Sequence, residues 1–562
     1  MSMKKQIIPI SLSILILLTI GACKKDLGNY TYTDSNAISI TTDMSAADPL
    51  VVITNDSLVI KENDTLKLDV ILTQKIPSTD LSYQWMITQT VASASNPPQY
   101  VVGTAKQLRA KILLSPNLYR LVLRVTDNKT GVSYYKFYNL NVDTSPWGGE
   151  GWLVLQDQPT QSGGDISLIA SRDGVLRGTV YNNLYFTANS HKLVTGTNKI
   201  AVMNYNNTIR IQKISLFSPA SGVQVRSVDY LDSSSHLGWF FLPPTAFNMQ
   251  ANAVASATGQ YEYMINNGQV CTQTVNALTI KTPPIKFGAP VLGSWPELSP
   301  YVINNSTSDN YYTLFDKANR CFLLLNVSNN TLVPAAQPDV PNKHFVNYAG
   351  TPADLSATGK GFDMNNVNRN LIYAENAQTS TSASTYYNAI FRNTTGDSTF
   401  LYQFLAGIAY LNNITTGRYL LKETLVPGIN TATIFAVPTF LSLPGGAFYY
   451  VPGTNANAIY VCNPSYTGTL PATTTSHLGY SFPSGTIVKS MKVFKSGYTT
   501  TALPATEGKV LVVATDESAN SNGNNVYFLN LTAAGDIVST PANVYTGFDK
   551  IVDIAFKKGL GL

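Results

Sequence analysis

Four carboxylates are the residues of this 562-residue chain that could do acid–base chemistry together. Each comes just after a short apolar strand, and they are Asp157, Asp316, Glu375 and Asp516. If these strands are equivalent units of one ring, the carboxylates lie at the same end of that ring, where they could hydrolyse a glycosidic bond or hold a cation. An Asp after a strand more often hydrogen-bonds the turn backbone, and no two of the four are close in sequence. Catalysis by these residues is therefore the less favoured hypothesis.

The sequence lacks the motifs of metal and nucleophile chemistry. Its histidines are far apart and have no second ligand at three- or four-residue spacing; they are His191, His236, His344 and His477. The run Asn520-Ser521-Asn522-Gly523 resembles part of a calcium loop, but Leu529 stands where a bidentate Glu is needed, so a hairpin turn is favoured. No Gly-x-Ser-x-Gly elbow or Gly-x-x-x-x-Gly-Lys loop is present. We expect no metal and no other cofactor.

Two aromatic segments lie outside the regular strands. They are Trp239-Phe240-Phe241-Leu242-Pro243-Pro244 and Ser294-Trp295-Pro296. A flat ring can stack on a sugar face while nearby Asn, Thr and Tyr side chains bond its hydroxyls. We therefore consider Trp239 and Trp295 as ligand contacts, with the alternative that they fill gaps between structural units.

The composition is that of an all-β protein with a neutral polar surface. Charged residues make up 13% of the chain and hydrophobic residues 44%, with 32 Tyr and 22 Phe. This excludes disorder, and the absence of a heptad pattern excludes a coiled coil. The net charge of +5 lacks the clustered basic stripe that nucleic acid requires. Nucleic acid is excluded as the main partner.

The first 22 residues have the order of a bacterial lipoprotein signal peptide. Lys4 and Lys5 precede an apolar run at residues 7–20, which is too short to span a bilayer as a helix, and small residues lead into Cys23. We predict that Cys23 is lipidated as the mature N-terminus, that residues 23–37 form a tether, and that the lipid anchor holds the protein in the outer membrane.

Residues 38–145 have the period-two alternation of short β-strands. Apolar side chains alternate at Leu66, Leu68, Val70 and Leu72, at Tyr83, Trp85 and Ile87, and at Tyr119, Leu121, Leu123 and Val125. A Trp in a middle strand is typical of an immunoglobulin-like β-sandwich, where it packs between the sheets. We predict such a sandwich with Trp85 in its core.

Three segments of this region form a further pattern: Asn63-Asp64-Thr65-Leu66, Leu81-Ser82-Tyr83-Gln84-Trp85 and the run from Tyr119 to Asp127. Together they resemble the polycystic-kidney-disease (PKD) fold. With the leader and the strand at residues 151–155, the chain is similar to the PKD-like lipoproteins of Bacteroidetes, although residues 86–90 replace the Gly-Asp-Gly turn of PKD domains. Lys24, Lys25 and Asp26 resemble the stretch that directs such lipoproteins to the cell surface.

This resemblance implies an accessory surface protein of a nutrient-uptake system. Its expected partners are a starch-utilisation-type transporter and a nutrient-binding lipoprotein, and its expected ligand is a polysaccharide or a peptide. A non-catalytic binding function is our first hypothesis. The alternative is a propeller-type hydrolase or lyase that uses the four carboxylates, because propellers host both classes.

Residues 146–562 carry a weak repeat of strand pairs spaced by about 60 residues. The first strands are residues 152–155, 200–203, 261–265, 311–315, 371–374, 448–451 and 510–514, and the second strands are residues 166–169, 209–214, 270–275, 321–327, 386–391, 459–462 and 526–531. We predict a β-propeller of about seven blades, with two stacked sandwiches as the alternative. Cys271, Cys321 and Cys462 fall in second strands, too far apart for disulfides, so we expect three reduced thiols.

Overall fold

The structure is a computed structural model that describes 24 stretches of the chain. They are residues 36–46, 52–54, 56–61, 64–89, 99–112, 114, 117–143, 149–158, 163–172, 174–204, 212–254, 261–274, 286–291, 295, 297–301, 303–304, 311–326, 330–334, 362–379, 385–406, 414–439, 447–464, 472–496 and 504–559. The signal peptide, Cys23, all but the last two residues of the tether and His344 lie outside the described residues. The chain divides into two compact units, with the second beginning for the most part at Asn141.

The first unit is built from β-strands. They are β1 Ile38–Thr42, β2 Val52–Thr54, β3 Ser57–Lys61, β4 Thr65–Leu68, β5 Val70–Gln74, β6 Leu81–Gln89, β7 Gln99–Gly103, β8 Leu108–Lys111, β9 Asn117–Asp127 and β10 Ser133–Asp143. A six-stranded sheet has the order β2-β3-β10-β9-β6-β7, and β1 pairs with β5 and β4 with β8. The pairs of β1 with β5 and of β6 with β7 and β9 are antiparallel. The predicted β-sandwich class is confirmed.

Trp85 lies at the centre of this unit. Its side chain is fully buried, its ring stacks on Tyr138 with centroids 6.2 Å apart, and its indole N–H donates to the carbonyl of Ala105 at 2.9 Å. Leu121 and Leu123 of β9 are also fully buried. The alternation in the sequence therefore predicts the inward face of the central strands correctly, with Trp85 as a core residue.

The second unit contains, among its described residues, seven sheets that follow one another along the chain. Blade 1 has β11 Gly151–Gln158, β12 Gly163–Arg172 and β13 Val175–Tyr181; blade 2 has β14 Lys199–Asn204, β15 Gln212–Phe217, β16 Gly222–Arg226 and β17 Asp232–Ser235; blade 3 has β18 Met249–Val254, β19 Tyr261–Asn266 and β20 Gln269–Thr274; blade 4 has β21 Ile303–Asn304, β22 Tyr311–Asp316, β23 Cys321–Asn326 and β24 Thr331–Pro334.

The remaining blades continue this order. Blade 5 has β25 Asn370–Thr379, β26 Thr385–Arg392, β27 Thr399–Ala406 and β28 Ile414–Leu421; blade 6 has β29 Ile434–Ala436, β30 Phe448–Val451 and β31 Ala458–Cys462, then β32 Ala472–Thr473, which joins blade 5, and β33 Ser476–Ser481; blade 7 has β34 Ile487–Val493, β35 Val510–Asp516, β36 Asn524–Asn530 and β37 Asn543–Phe548. The last strand, β38 Lys550–Lys557, returns to blade 1 and pairs with β11.

The seven sheets form a closed ring. Each of seven buried apolar clusters contains residues of two consecutive blades, and the last of them joins blade 7 to blade 1 through Phe528 and Trp152. Neighbouring inner strands also contact one another, with β38 between β34 and β14. The predicted propeller of about seven blades is therefore confirmed, and the alternative of two stacked sandwiches is wrong.

Helical structure is scarce in the described part of the chain. One α-helix, α1 Leu184–Asn189, lies in blade 1 and packs against β12. Short 3-10 turns occur at Met44–Ala46, His236–Gly238 and Ser518–Asn520. Within the described stretches, no helix has both the length and the apolar character needed to cross a membrane.

All seven predicted strand pairs are antiparallel neighbours, but their position in the blade differs. In blades 2 and 5 the predicted first strand is the innermost strand, β14 or β25. In the other five blades the predicted first strand is the second strand of the sheet, and the inner strand is missing from the predicted pairs. The predicted first strands therefore do not all run in the same direction, and carboxylates that follow them do not all lie at the same end of the ring.

The three cysteines Cys271, Cys321 and Cys462 are free thiols on the third strands of blades 3, 4 and 6. Burial raises the pKa of Cys271 to about 12 and that of Cys321 to about 11. We expect a thiol reagent at pH 8 to leave native residues 24–562 almost unlabelled, and to label three thiols after denaturation, because the reactive thiolate is scarce so far below these pKa values. A disulfide between Cys271 and Cys321 would contradict the blade assignment.

Candidate functional site

Three of the four predicted carboxylates lie at the same end of the ring, and each has local partners. Asp157, Asp316 and Asp516 come at or next to the ends of β11, β22 and β35, the second strands of their blades. Asp157 pairs with Lys550 at 3.2 Å, Asp316 accepts the backbone N–H of Ala318 at 3.0 Å, and Asp516 accepts that of Ser518 at 3.1 Å. The hydrogen bonds from Ser518 lower the pKa of Asp516. These are turn and ion-pair roles.

Glu375 does not share this position, so the expectation that all four carboxylates meet at one end is wrong. It lies within β25, the inner strand of blade 5, and inner strands run antiparallel to second strands. The apolar run at residues 371–374 belongs to this inner strand, whereas the runs before the three aspartates belong to second strands.

Glu375 instead forms a half-buried network that joins three inner strands. Its carboxylate accepts from Lys495 at 2.6 Å, from the Tyr373 hydroxyl at 2.6 Å and from the backbone N–H of Val437 at 2.8 Å. The Lys495 ammonium also donates to the carbonyl of Asn376 at 2.8 Å. Burial lowers the pKa of Lys495 although Glu375 opposes this, and burial raises that of Tyr373. Both carboxylate oxygens of Glu375 therefore accept hydrogen bonds, and the network connects blades 5, 6 and 7.

Trp239 and Trp295 are buried between blades, so the hypothesis that their rings contact a ligand is contradicted. Trp239 is 2% exposed and packs between blades 2 and 3, with its indole N–H donating to the Ser234 hydroxyl at 3.1 Å. Trp295 is 6% exposed and packs between blades 3 and 4. A segment without regular strand structure can still supply core residues, and these two do.

The described histidines and the turn at Asn520 have ordinary structural partners. His191 pairs with Asp232 at 3.3 Å and His477 with Asp536 at 2.9 Å, both at exposed positions. The turn connects β35 to β36, which pair antiparallel as a hairpin, as favoured over a calcium loop. In the described stretches no group of three or more His, Cys, Asp or Glu could hold a metal ion.

An aromatic surface on the first unit was missed by sequence reasoning. Tyr135 and Phe137 alternate with the buried Tyr138 along β10, so they project from the outer side of the six-stranded sheet. Each is 52% exposed, their ring centroids are 6.3 Å apart, and their planes differ by 16°. We call these two rings, with the neighbouring outward side chains of β10, β9 and β6, the aromatic face.

Two arginines of β9 belong to the aromatic face. The Arg120 guanidinium lies 5.9 Å from the Phe137 ring centroid, within the range of a cation–π contact. Arg124 lies four residues further along β9, on the same side of the strand. The hydroxyls of Thr126 and Ser133 are 2.8 Å apart, which shows that the outward sides of β9 and β10 are continuous.

The rest of the aromatic face is apolar or carries amides. Met86 of β6 pairs with Val122 of β9, and both side chains are buried, so they form the apolar base of the surface. Gln84 stands opposite Arg124 and Thr88 opposite Arg120. Parallel exposed rings beside amide and guanidinium donors can contact the apolar face of a sugar and bond its hydroxyls. The signal in the sequence was the aromatic run Tyr134-Tyr135-Lys136-Phe137-Tyr138.

Comparison with known proteins gives one family and several distant structures. Residues 23–196 match the PKD-like family. No curated protein matches the chain. The family match includes the whole aromatic face and the first strands of the propeller.

Among solved structures, a quinonprotein alcohol dehydrogenase-like protein from Bacteroides thetaiotaomicron is 11% identical, with 88% of this chain and 97% of that chain covered and a TM-score of 0.35. The Dos1 propeller is 10% identical, with 74% and 95% covered and a TM-score of 0.36. Apo AztD from Citrobacter koseri is 9% identical, with 62% and 98% covered and a TM-score of 0.29.

Proposed function

We propose that this chain, whose residues 23–196 match the PKD-like family and whose second unit is a seven-bladed β-propeller, is a lipid-anchored, non-catalytic binding protein of the outer membrane. It faces the cell surface and binds a glycan as an accessory component of a nutrient-uptake system. Its partners are a starch-utilisation-type transporter and a nutrient-binding lipoprotein.

The aromatic face is the observation that carries the binding function. Tyr135 and Phe137 expose half of their surface on a sheet whose other side is a packed core, so their rings are held in place before a ligand arrives. A preformed surface loses little conformational entropy on binding. Large exposed rings on a rigid support are typical of recognition sites.

The contacts of the carboxylates favour binding over the alternative of a hydrolase or lyase. Hydrolysis of a glycosidic bond needs two carboxyl groups that are free to act as acid and base. Asp157 is paired with Lys550, Asp316 and Asp516 accept turn backbone, and Glu375 is paired with Lys495. Each of the four carboxylates therefore already has a local partner.

The binding function predicts a selective effect of removing the rings. We expect Tyr135→Ala and Phe137→Ala each to weaken binding of full-length mature protein to its glycan by about tenfold, with an unchanged melting temperature, because an aromatic contact contributes about 1.4 kcal/mol and both rings lie outside the core. The measurement is a glycan array, followed by calorimetric titration of the best ligand.

The matched control is Phe186→Ala, which removes an exposed ring from blade 1 instead. This variant should bind like the unchanged protein. If Tyr135→Ala and Phe137→Ala bind as well as the control, the aromatic face is not the binding site. If the unchanged protein binds no glycan, the proposed ligand class is wrong.

The lipid anchor is tested at Cys23. We expect Cys23→Ser to leave an uncleaved or soluble precursor, because only the thiol can form the thioether that carries the acyl chains. Detergent partitioning and the intact mass of the protein measure this. A membrane-bound mature protein with an unmodified Cys23 would contradict the anchor.

A further inference from the structure

The charged side chains of the aromatic face that the structure describes are all of one sign. Its outward positions with described side chains are Ser82, Gln84, Met86 and Thr88 of β6, Leu118, Arg120, Val122, Arg124 and Thr126 of β9, and Ser133, Tyr135, Phe137, Asn139 and Asn141 of β10. Among them are two arginines and no Asp or Glu. Strand alternation places both cations beside the two exposed rings.

Neither arginine is neutralised by a carboxylate of the described residues. Arg120 has the Phe137 ring as its neighbour, and no ion pair involves Arg120 or Arg124 in the described part of the chain. The carboxylates in nearby turns are engaged elsewhere: Asp56 with Lys136 at 2.5 Å, and Asp80 with the Asn128 amide at 2.9 Å. Among its described side chains, the aromatic face therefore carries a positive charge that no ion pair neutralises.

On this basis we infer that the ligand of the aromatic face is an anionic glycan, one that carries carboxylate or sulfate groups along its chain. The inference rests on the proposed function and narrows the ligand class from glycans to anionic glycans. The rings contact the apolar faces of the sugars, and the two guanidinium groups bind the acidic substituents.

The chemistry of arginine favours this ligand over a neutral one. A guanidinium presents a planar set of N–H donors that matches the two oxygens of a carboxylate or sulfate. The Arg120 guanidinium lies 5.9 Å from the Phe137 ring centroid and the residue is exposed, so its N–H donors can reach a ligand that contacts the ring. A neutral sugar would leave two cations without counter-charges at the binding surface.

The experiment compares polymers that share one backbone. Mature residues 24–562 are titrated with dextran, dextran sulfate and carboxymethyl-dextran at low and at physiological salt, and with a single-stranded thymidine oligonucleotide. We expect the two anionic dextrans to bind at least tenfold more tightly than dextran, with affinity that falls as salt rises. The two anionic arms tell sulfate recognition from carboxylate recognition.

The variants separate this site from a general attraction of charge. Arg120→Gln with Arg124→Gln should reduce the affinity for anionic dextran by about tenfold or more, since a hydrogen bond to a charged group contributes about 1.5 kcal/mol or more. The matched control, Lys106→Gln with Arg177→Gln, removes the same charge at exposed positions elsewhere and should leave it unchanged. Tyr135→Ala should also reduce the affinity for anionic dextran, because the rings contact the sugars.

Each contrary outcome has one meaning. Equal binding of dextran and its anionic forms would overturn the inference and leave the proposed function standing. Unchanged binding by the double Arg variant would also overturn it. Tighter binding of the oligonucleotide than of either anionic dextran would identify a nucleic-acid surface and overturn it. If neither these polymers nor any glycan of the array binds, the proposed function itself fails.

Discussion

A chain that ends at Asp549, and so lacks β38, is expected to lose the cooperative thermal unfolding of the propeller. The strand supplies the innermost position of blade 1, where it pairs with β11 from Lys557 to Lys550. Without it, the backbone groups along one edge of β11 have no partner, and blade 1 loses the innermost strand that contacts β34 of blade 7. Scanning calorimetry of the mature protein measures the loss.

The apolar contacts of β38 make this effect large. Ile551 and Ile554 are fully buried in the cluster that joins blade 7 to blade 1. Truncating one such side chain, as in Ile554→Ala, costs about 2 to 5 kcal/mol, a large part of the stability of a typical domain. Removing both of them together with the strand is expected to exceed that stability.

The control for this prediction is a chain that ends at Gly559. It keeps every residue of β38 and should unfold like the full-length protein. A truncated chain ending at Asp549 that still unfolds cooperatively at an unchanged temperature would mean that the ring does not depend on this closure.

Trp85→Ala is expected to reduce the free energy of unfolding of the first unit by about 3 to 5 kcal/mol. The substitution removes a fully buried side chain, its stacking on Tyr138 and its hydrogen bond to the carbonyl of Ala105. It leaves a cavity in the core and a carbonyl without its partner. Chemical denaturation of the mature protein, followed by circular dichroism, measures the change.

The comparison variant is Tyr135→Ala, which removes an aromatic ring from the outer side of the same sheet. It should change the free energy of unfolding by less than about 1 kcal/mol, because the ring is half exposed. Equal losses from the two variants would show that Trp85 has no special role in the core.

The fold class could be predicted because its signals are local. Alternation of apolar residues identified β9 with Tyr119, Leu121, Leu123 and Val125 on one side, and all four are fully buried. The same signal identified one strand pair in each blade. Residues on paired strands of a hairpin are close in sequence, so a short window contains the whole pattern.

The inner strands could not be predicted in most blades because they are short or their partners are distant. β21 Ile303–Asn304 and β29 Ile434–Ala436 are too short to show an alternation. β38 pairs with β11 across most of the chain, and no local pattern specifies that pairing. For this reason the sequence predicts the position of Glu375 wrongly, since its inner strand β25 has the same local pattern as the second strand β11.

The position of the candidate site could not be predicted from the sequence. The burial of an aromatic ring depends on tertiary packing, which a loop-like sequence does not reveal. Trp239 and Trp295 fill spaces between blades, while Tyr135 and Phe137 face outward from a regular strand. The outward side of an aromatic strand is identified only when its inward side is known, and Tyr138 against Trp85 identifies it here.

The closed set of seven shared clusters has a consequence for local opening. In a linear repeat protein the terminal repeat has one neighbour, so it frays first and at the cost of a single interface. A ring has no terminal repeat, and a blade that opens must break two interfaces at once, as blade 1 would on the sides of Phe528 and Ile214. Proteases cleave transiently opened segments, so we expect cleavage within the blades to be slower than cleavage at the terminal repeat of a linear repeat protein.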